Sequence, residues 1–121
     1  MNATLNDQLF EEILRARTRV YRVGQPTPRQ QVRIPEIDAT IFIKREDLSP
    51  INAYKWRGAY NAVCAYHELN GCKTVVAASA GHHSQGVAMA VRTLGIHAKI
   101  FIPLSTPLMK QTSVRPHGGD H

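Results

Sequence analysis

The sequence predicts an α/β fold with parallel strands, because short apolar runs alternate with segments of helical periodicity along most of the chain. This alternation is typical of βαβ units. Crossovers in such units are right-handed, so helices should cover the sheet in a three-layer arrangement. The strand-like runs are residues 39–44, 74–78 and 98–102, and the helical patterns are residues 55–70, 83–94 and 107–115.

An amphipathic helix over residues 4–17 is predicted to come first. Thr4 or Asn6 would cap it, and acidic residues follow in its first turns, where the helix dipole favours them. We expect its apolar stripe to pack against the rest of the domain. The stripe consists of Leu9, Phe10, Ile13 and Leu14.

Glycine and proline mark the boundaries of the other elements. Gly24 and three prolines interrupt residues 21–35, which predicts a connecting arm. Gly71 and Gly95 follow directly after two helical patterns, where a left-handed residue commonly ends a helix. Thr106 and Pro107 together predict a capped helix start.

Composition argues against several functional classes. The chain has 121 residues, enough for one domain or part of one, and its charge of +6 is spread along it rather than clustered, so no nucleic-acid partner is predicted. Cys64 and Cys72 lack the spacing of a disulfide framework. The adjacent His82 and His83 would diverge on a helix, so no metal site is predicted. The sequence has neither an apolar run of about 20 residues nor a signal-peptide pattern, which predicts a cytoplasmic protein without membrane partners.

Lys55 is the strongest candidate for chemistry, because it lies where a strand pattern gives way to a helix pattern. The positive end of a helix dipole disfavours an ammonium group, and removal from water would disfavour it further. An unprotonated lysine amine is what Schiff-base chemistry requires. The alternative is an ordinary solvated lysine. Gly58 argues against this alternative, because glycine is unusual so early in a helix.

Two motifs carry a family resemblance. N-A-Y-K-W-R-G-A-Y, residues 52–60, resembles the lysine motif of pyridoxal-phosphate enzymes of the tryptophan-synthase-β type, and of threonine dehydratases (threonine ammonia-lyases) in particular. A-S-A-G-H-H-S-Q-G-V-A, residues 78–88, is similar to the A-S-A-G-N-H-x-Q-G-V-A loop of that family. With weaker agreement elsewhere, the resemblance covers about the last five-sixths of the chain.

The resemblance implies a partial small domain of a pyridoxal-phosphate fold type II enzyme. Residues 1–35 would form the N-terminal helix and arm, and residues 36–121 an incomplete α/β domain. In relatives a larger domain follows and carries the glycine-rich loop that cradles the cofactor phosphate. We therefore expect this chain to correspond to an N-terminal fragment that acts with a complementing C-terminal portion or as a homo-oligomer.

The resemblance also implies roles for the motif residues. Lys55 would hold pyridoxal 5′-phosphate and then take the substrate's α-proton. Tyr54 would lie in the cofactor site, and His82, which stands where relatives have asparagine, would contact the cofactor's 3′-oxygen. The substrate carboxylate would bind chiefly to amides of the second motif, at Ser79, Ala80, Gly81 and His83.

The activity implied is the deamination of threonine or serine to a 2-oxo acid and ammonia. Ala80 favours elimination over racemisation, because relatives that racemise serine carry a second serine there. A β-replacement enzyme of the cysteine-synthase type is an alternative, although K-R-E-D-L and W-R-G-A-Y are closer to the dehydratases. The alternative outside enzymes is a non-catalytic remnant that folds by packing on a partner chain.

Overall fold

The computed structural model describes residues 4–114. Its parallel β-α-β unit confirms the predicted α/β fold class, and the predicted helix end at Arg115 lies outside the described residues. A short 3-10 helix, Glu46–Leu48, precedes α2. The helices are α1 (Leu5–Val20), α2 (Lys55–Asn70), α3 (His82–Leu94) and α4 (Leu108–Val114), and the strands are β1 (Arg29–Val32), β2 (Ile41–Lys44), β3 (Thr74–Ala78) and β4 (His97–Phe101).

Strands β3 and β4 form a parallel pair joined by α3. Their register places Thr74 opposite His97 and continues to the ends of both strands. Alternate side chains such as Ile100 are buried on the side of α3, whereas Val76 and Phe101 on the opposite face are exposed. Within residues 4–114, helices therefore cover one face of this sheet, and the second helical layer of the prediction is not found there.

The first predicted strand does not join the parallel sheet, which corrects the prediction of a three-stranded unit. β2 pairs antiparallel with β1, so that Arg29 lies opposite Lys44. β1 lies inside the segment that was predicted to be an irregular arm. The prediction missed this strand because its polar sequence between prolines carries no strand signal. Phe42 and Ile43 are exposed rather than buried, since a two-stranded ribbon alone provides no packed layer to bury them.

Helix α1 begins where the sequence predicts. The Asp7 N–H donates to Thr4 Oγ1 over 3.3 Å, and the Thr4 N–H donates to Asp7 Oδ2 over 3.0 Å, which together make a capping box. The helix continues beyond the predicted end to Val20, which is buried. The predicted packing stripe is exposed instead. Within the described fold, α1 makes its contacts chiefly with α2. Its exposed members are Leu9, Phe10, Ile13 and Leu14.

The core lies between α2 and α3. Trp56 is completely buried, and its ring approaches Gly24 so closely that a Cβ there would lie 2.2 Å from a ring carbon. Its indole nitrogen has no hydrogen-bond partner among the described residues. Gly71 and Gly95 end α2 and α3 in the left-handed conformation, with φ of 61° and 66°, as predicted. No helix within residues 4–114 has both the length and the hydropathy needed to cross a membrane.

Candidate functional site

Lys55 is the first residue of α2, and its side chain is exposed. Tyr54 precedes it and is also exposed. The first turn of α2 contains no acidic residue, so the carboxylate that usually complements a helix N-terminus is absent from this turn. The described part of the chain therefore gives Lys55 the helix terminus that the sequence predicts, whereas it does not bury the amine.

A hydrogen-bonded turn precedes Lys55 and sets the direction of the backbone there. The buried Ser49 hydroxyl accepts from the Ala53 N–H over 2.8 Å and donates to the Ala53 carbonyl over 2.9 Å. The Asn52 N–H donates to the Ser49 carbonyl over 2.9 Å, and Asn52 adopts a left-handed φ of 55°. Asparagine tolerates this conformation better than most residues. The direction in which the chain enters α2 is thus fixed by side-chain and backbone bonds together.

The second motif forms the connection from β3 to α3. The Ser79 N–H donates to the Phe101 carbonyl over 3.0 Å, and the Gly81 N–H donates to Ser79 Oγ over 3.2 Å. Gly81 caps α3 with its carbonyl, which accepts from the Ser84 N–H over 3.0 Å. The N–H groups of His82 and His83, the first two residues of α3, have no partner within the helix by geometry, and such groups attract anions. A substrate carboxylate is one such anion.

Gly86 brings the two motifs together. A Cβ at Gly86 would lie 2.7 Å from Ala59 Cβ, 3.3 Å from Trp56 Cα and 3.6 Å from the Lys55 carbonyl oxygen. Only glycine allows α3 to approach the first turns of α2 this closely. His82 lies four positions before Gly86, and therefore on the same side of α3. The fold thus places the start of α3 beside the start of α2.

The remaining predicted residues lie around this contact. His82 and His83 have exposed side chains, while Ser79, Ala80 and Gly81 are half-buried. A cavity of about 490 Å³ lies between α2, β3 and α3, and its lining is apolar apart from Tyr66 and His83. A larger concavity of about 590 Å³ lies between residues 31 and 40 and contains none of the predicted site residues. Among the described residues no group of three or more His, Cys, Asp or Glu side chains could hold a metal ion.

Three residues near Lys55 were not predicted as part of the site. Glu46 accepts from the Thr27 hydroxyl over 2.6 Å and forms an ion pair with Arg57. Burial alone would raise the pKa of the Glu46 carboxyl, but the hydrogen bonds from Arg57 and Thr27 outweigh this effect and hold that pKa below its ordinary value. The sequence offers only opposite charges eleven positions apart, which do not indicate a pair.

The chain belongs to the family described as pyridoxal-phosphate dependent enzymes, whose model matches residues 20–121. It is 42% identical over 111 residues to the biosynthetic L-threonine dehydratase IlvA of Mycobacterium bovis, covering 90% of this chain and 26% of that protein. It is 41% identical over 110 residues to the enzyme of that name from Haemophilus influenzae, covering 89% of this chain and 21% of that protein. The predicted family and its cofactor, pyridoxal phosphate, are confirmed.

Solved structures give the same family and fold. The processed form of threonine deaminase isoform 2 from Solanum lycopersicum superposes with a TM-score of 0.84 at 35% identity, covering 98% of this chain and 34% of that one. Maize serine racemase gives a TM-score of 0.81 at 33% identity, covering 91% and 34%. The fold thus corresponds to part of the fold of pyridoxal-phosphate fold type II enzymes. The chain spans about a quarter of the length of the curated relatives that it matches, and the division at residue 35 and the residue roles stay predictions.

Proposed function

We propose that this chain is the lysine-bearing part of an enzyme that deaminates threonine or serine to a 2-oxo acid and ammonia. The observation that supports this proposal most strongly is the approach at Gly86, which sets the amine-bearing turn of α2 beside the anion-attracting turn of α3. The 42% identity to a threonine dehydratase supports threonine as the substrate. The resemblance of this chain to biosynthetic enzymes also supports a cytoplasmic location.

The residues present fit pyridoxal phosphate. Lys55 offers an accessible amine at a helix terminus, Tyr54 offers an exposed aromatic ring beside it, and His82 offers a ring nitrogen as a donor. We assign the cofactor to these three residues. When bound, the cofactor would supply the electron sink for charge that develops at the substrate's α-carbon.

The chain's own residues then have separable tasks. Lys55 Nζ takes the proton from the α-carbon, while amides at the start of α3 hold the carboxylate and orient that carbon. Ser79 Oγ already accepts from the Gly81 N–H, so this hydroxyl shapes the loop that presents the amides. Ala80 has no proton to return on the opposite face, which favours loss of the β-hydroxyl over racemisation. The carboxylate-binding set is Ser79, Ala80, Gly81 and His83.

We further propose that the active unit includes a complementing polypeptide that corresponds to the remaining length of the relatives. The exposed apolar stripe of α1 and the open face of the β3–β4 sheet, which includes Phe101, support this proposal. Such surfaces are normally covered by other protein. A homo-oligomer of this chain alone is the alternative.

Complementation tests this function. The chain alone should release no measurable 2-oxobutyrate from threonine, because positioning by the rest of the site supplies much of the rate. Mixed with the C-terminal part of a threonine dehydratase relative, it should release 2-oxobutyrate, and pyruvate from serine. D-serine as the main product would instead indicate a racemase. Absence of both product and cofactor capture in the mixture would indicate a non-catalytic remnant.

Replacing His82 with asparagine should strengthen pyridoxal-phosphate binding in the complemented enzyme. An amide is a smaller donor than an imidazole. We expect roughly a tenfold tighter cofactor affinity, the factor that one improved hydrogen bond contributes. Cofactor titration by absorbance measures this affinity. Unchanged or weaker binding would mean that His82 does not contact the cofactor as assigned.

A further inference from the structure

Thr27, Glu46 and Arg57 form a polar cluster at the base of the lysine segment, which we call the clamp. The Thr27 hydroxyl donates to Glu46 Oε1 over 2.6 Å and accepts from Arg57 Nη2 over 3.5 Å. Glu46 Oε2 accepts from Arg57 Nη1. Thr27 is only 5% exposed, and the side chains of Glu46 and Arg57 are each 23% exposed, so water competes weakly for these bonds.

The clamp joins three separate segments of the chain. Thr27 belongs to the arm before β1, Glu46 begins the 3-10 helix, and Arg57 is the third residue of α2. Lys44 at the end of β2 also donates to the Thr27 carbonyl. The Glu46–Arg57 pair therefore closes a loop that contains Lys55, and Thr27 ties this loop to the arm.

Charge explains why the clamp acts on the first turn of α2. Arg57 is a cation in the first turn of a helix, where the helix dipole disfavours positive charge, and this turn has no acidic residue of its own. Glu46 supplies the missing carboxylate from outside the helix. Without the Glu46 carboxylate, the first turn of α2 would be less stable and would fray, and Lys55 would move with it.

We propose that Thr27, Glu46 and Arg57 are positioning residues that hold Lys55 in the orientation needed for cofactor attachment. The clamp fixes the loop at its base, and the Ser49–Ala53 bonds fix it near its tip. Together they leave the backbone at Lys55 a single entry direction into α2. This inference rests on the proposed role of Lys55 as the cofactor lysine.

The test combines two measurements on the whole chain. One is the pyridoxal-phosphate concentration that gives half-maximal borohydride-trapped label at Lys55, found by peptide mapping. The other needs no cofactor and is the hydrogen-exchange rate of the Ala53 amide, with the Gly71 amide at the far end of α2 as an internal reference. The test variant is Glu46→Gln, which removes the charge but keeps the shape. Its matched control is Glu68→Gln, because Glu68 accepts from Arg19 over 2.7 Å in an ion pair at the opposite end of α2.

Glu46→Gln should raise the half-maximal cofactor concentration roughly tenfold and speed exchange at Ala53 by a similar factor, as expected for loss of one charged hydrogen bond. Exchange at Gly71 should stay unchanged. Glu68→Gln should leave both Lys55 labelling and Ala53 exchange at the wild-type values. Equal effects of the two variants, or no effect of Glu46→Gln, would overturn the positioning role.

A second pair of variants keeps the charges of both Glu46 and Arg57. These variants test the clamp even if the Glu46→Gln chain misfolds. Thr27→Val removes the hydroxyl at nearly constant shape and should weaken Lys55 labelling several-fold, whereas Thr27→Ser should restore it. Failure of serine to restore labelling would count against the clamp. Labelling at Lys55 that no variant alters would leave the proposed function standing and overturn this inference. Faster Ala53 exchange with wild-type label spread over all lysines would support the clamp and refute the proposed function.

Discussion

Replacing Lys55 with alanine should abolish site-specific attachment of pyridoxal phosphate to this chain. Lys55 is the lysine at the start of α2, beside the anion-attracting turn of α3, and no other residue of the two motifs carries a primary amine. The cofactor can be trapped by borohydride on the lysine that it has joined, and peptide mapping then locates it. We expect the label on the Lys55 peptide to dominate in the wild type and to disappear in Lys55→Ala, with loss of the visible absorbance of the bound cofactor.

The matched control is Lys73→Ala, which removes an exposed lysine just before β3 and should leave labelling at Lys55 unchanged. Lys55→Arg provides a second control, because arginine keeps a long basic side chain at the helix terminus but has no primary amine and cannot form the bond. Label spread evenly over Lys44, Lys73, Lys99 and Lys110 in the wild type would show that Lys55 has no special reactivity. Such a result would remove the basis of the proposed mechanism.

Elements with strong local signals could be predicted from the sequence. Helix α2 has the predicted bounds, and Gly71 ends it because a left-handed residue suits glycine. β1 could not be predicted, because a short polar strand between prolines acquires its structure from pairing with β2. The exposed stripe around Phe10 shows a related limit: amphipathicity predicts which face of a helix is apolar, but not what will cover it.

The candidate site divides in the same way. Lys55 and the loop at Gly81 were identifiable, because a few residue types at close spacing carry their chemistry. The Glu46–Arg57 pair was not, since contact between side chains eleven positions apart depends on how the intervening turn folds. Gly86 carried a partial signal as a motif glycine, but its contact with Ala59 belongs to the packing of two helices and becomes visible only in three dimensions.

Replacing Gly86 with alanine should destabilise the fold and disturb the site together. The new Cβ would lie 2.7 Å from Ala59 Cβ and 3.3 Å from Trp56 Cα, and the second of these is backbone that cannot rotate away. Overpacking of this kind typically costs about 1–3 kcal/mol. The strain can be relieved only by moving α3 away from the start of α2. We therefore expect Lys55 labelling to fall as well, even at temperatures where the variant remains folded.

Gly58→Ala is the matched control, because Gly58 lies inside α2 and a Cβ there meets no atom within 4 Å. This substitution should stabilise the chain by about 0.5–1 kcal/mol through helix propensity alone. The double variant Gly86→Ala with Ala59→Gly removes the closer of the two clashes and should recover part of the loss. Urea unfolding measures all three free energies. A Gly86→Ala chain as stable as Gly58→Ala, with undiminished labelling at Lys55, would mean that the approach of the two helices at Gly86 does not hold the site together.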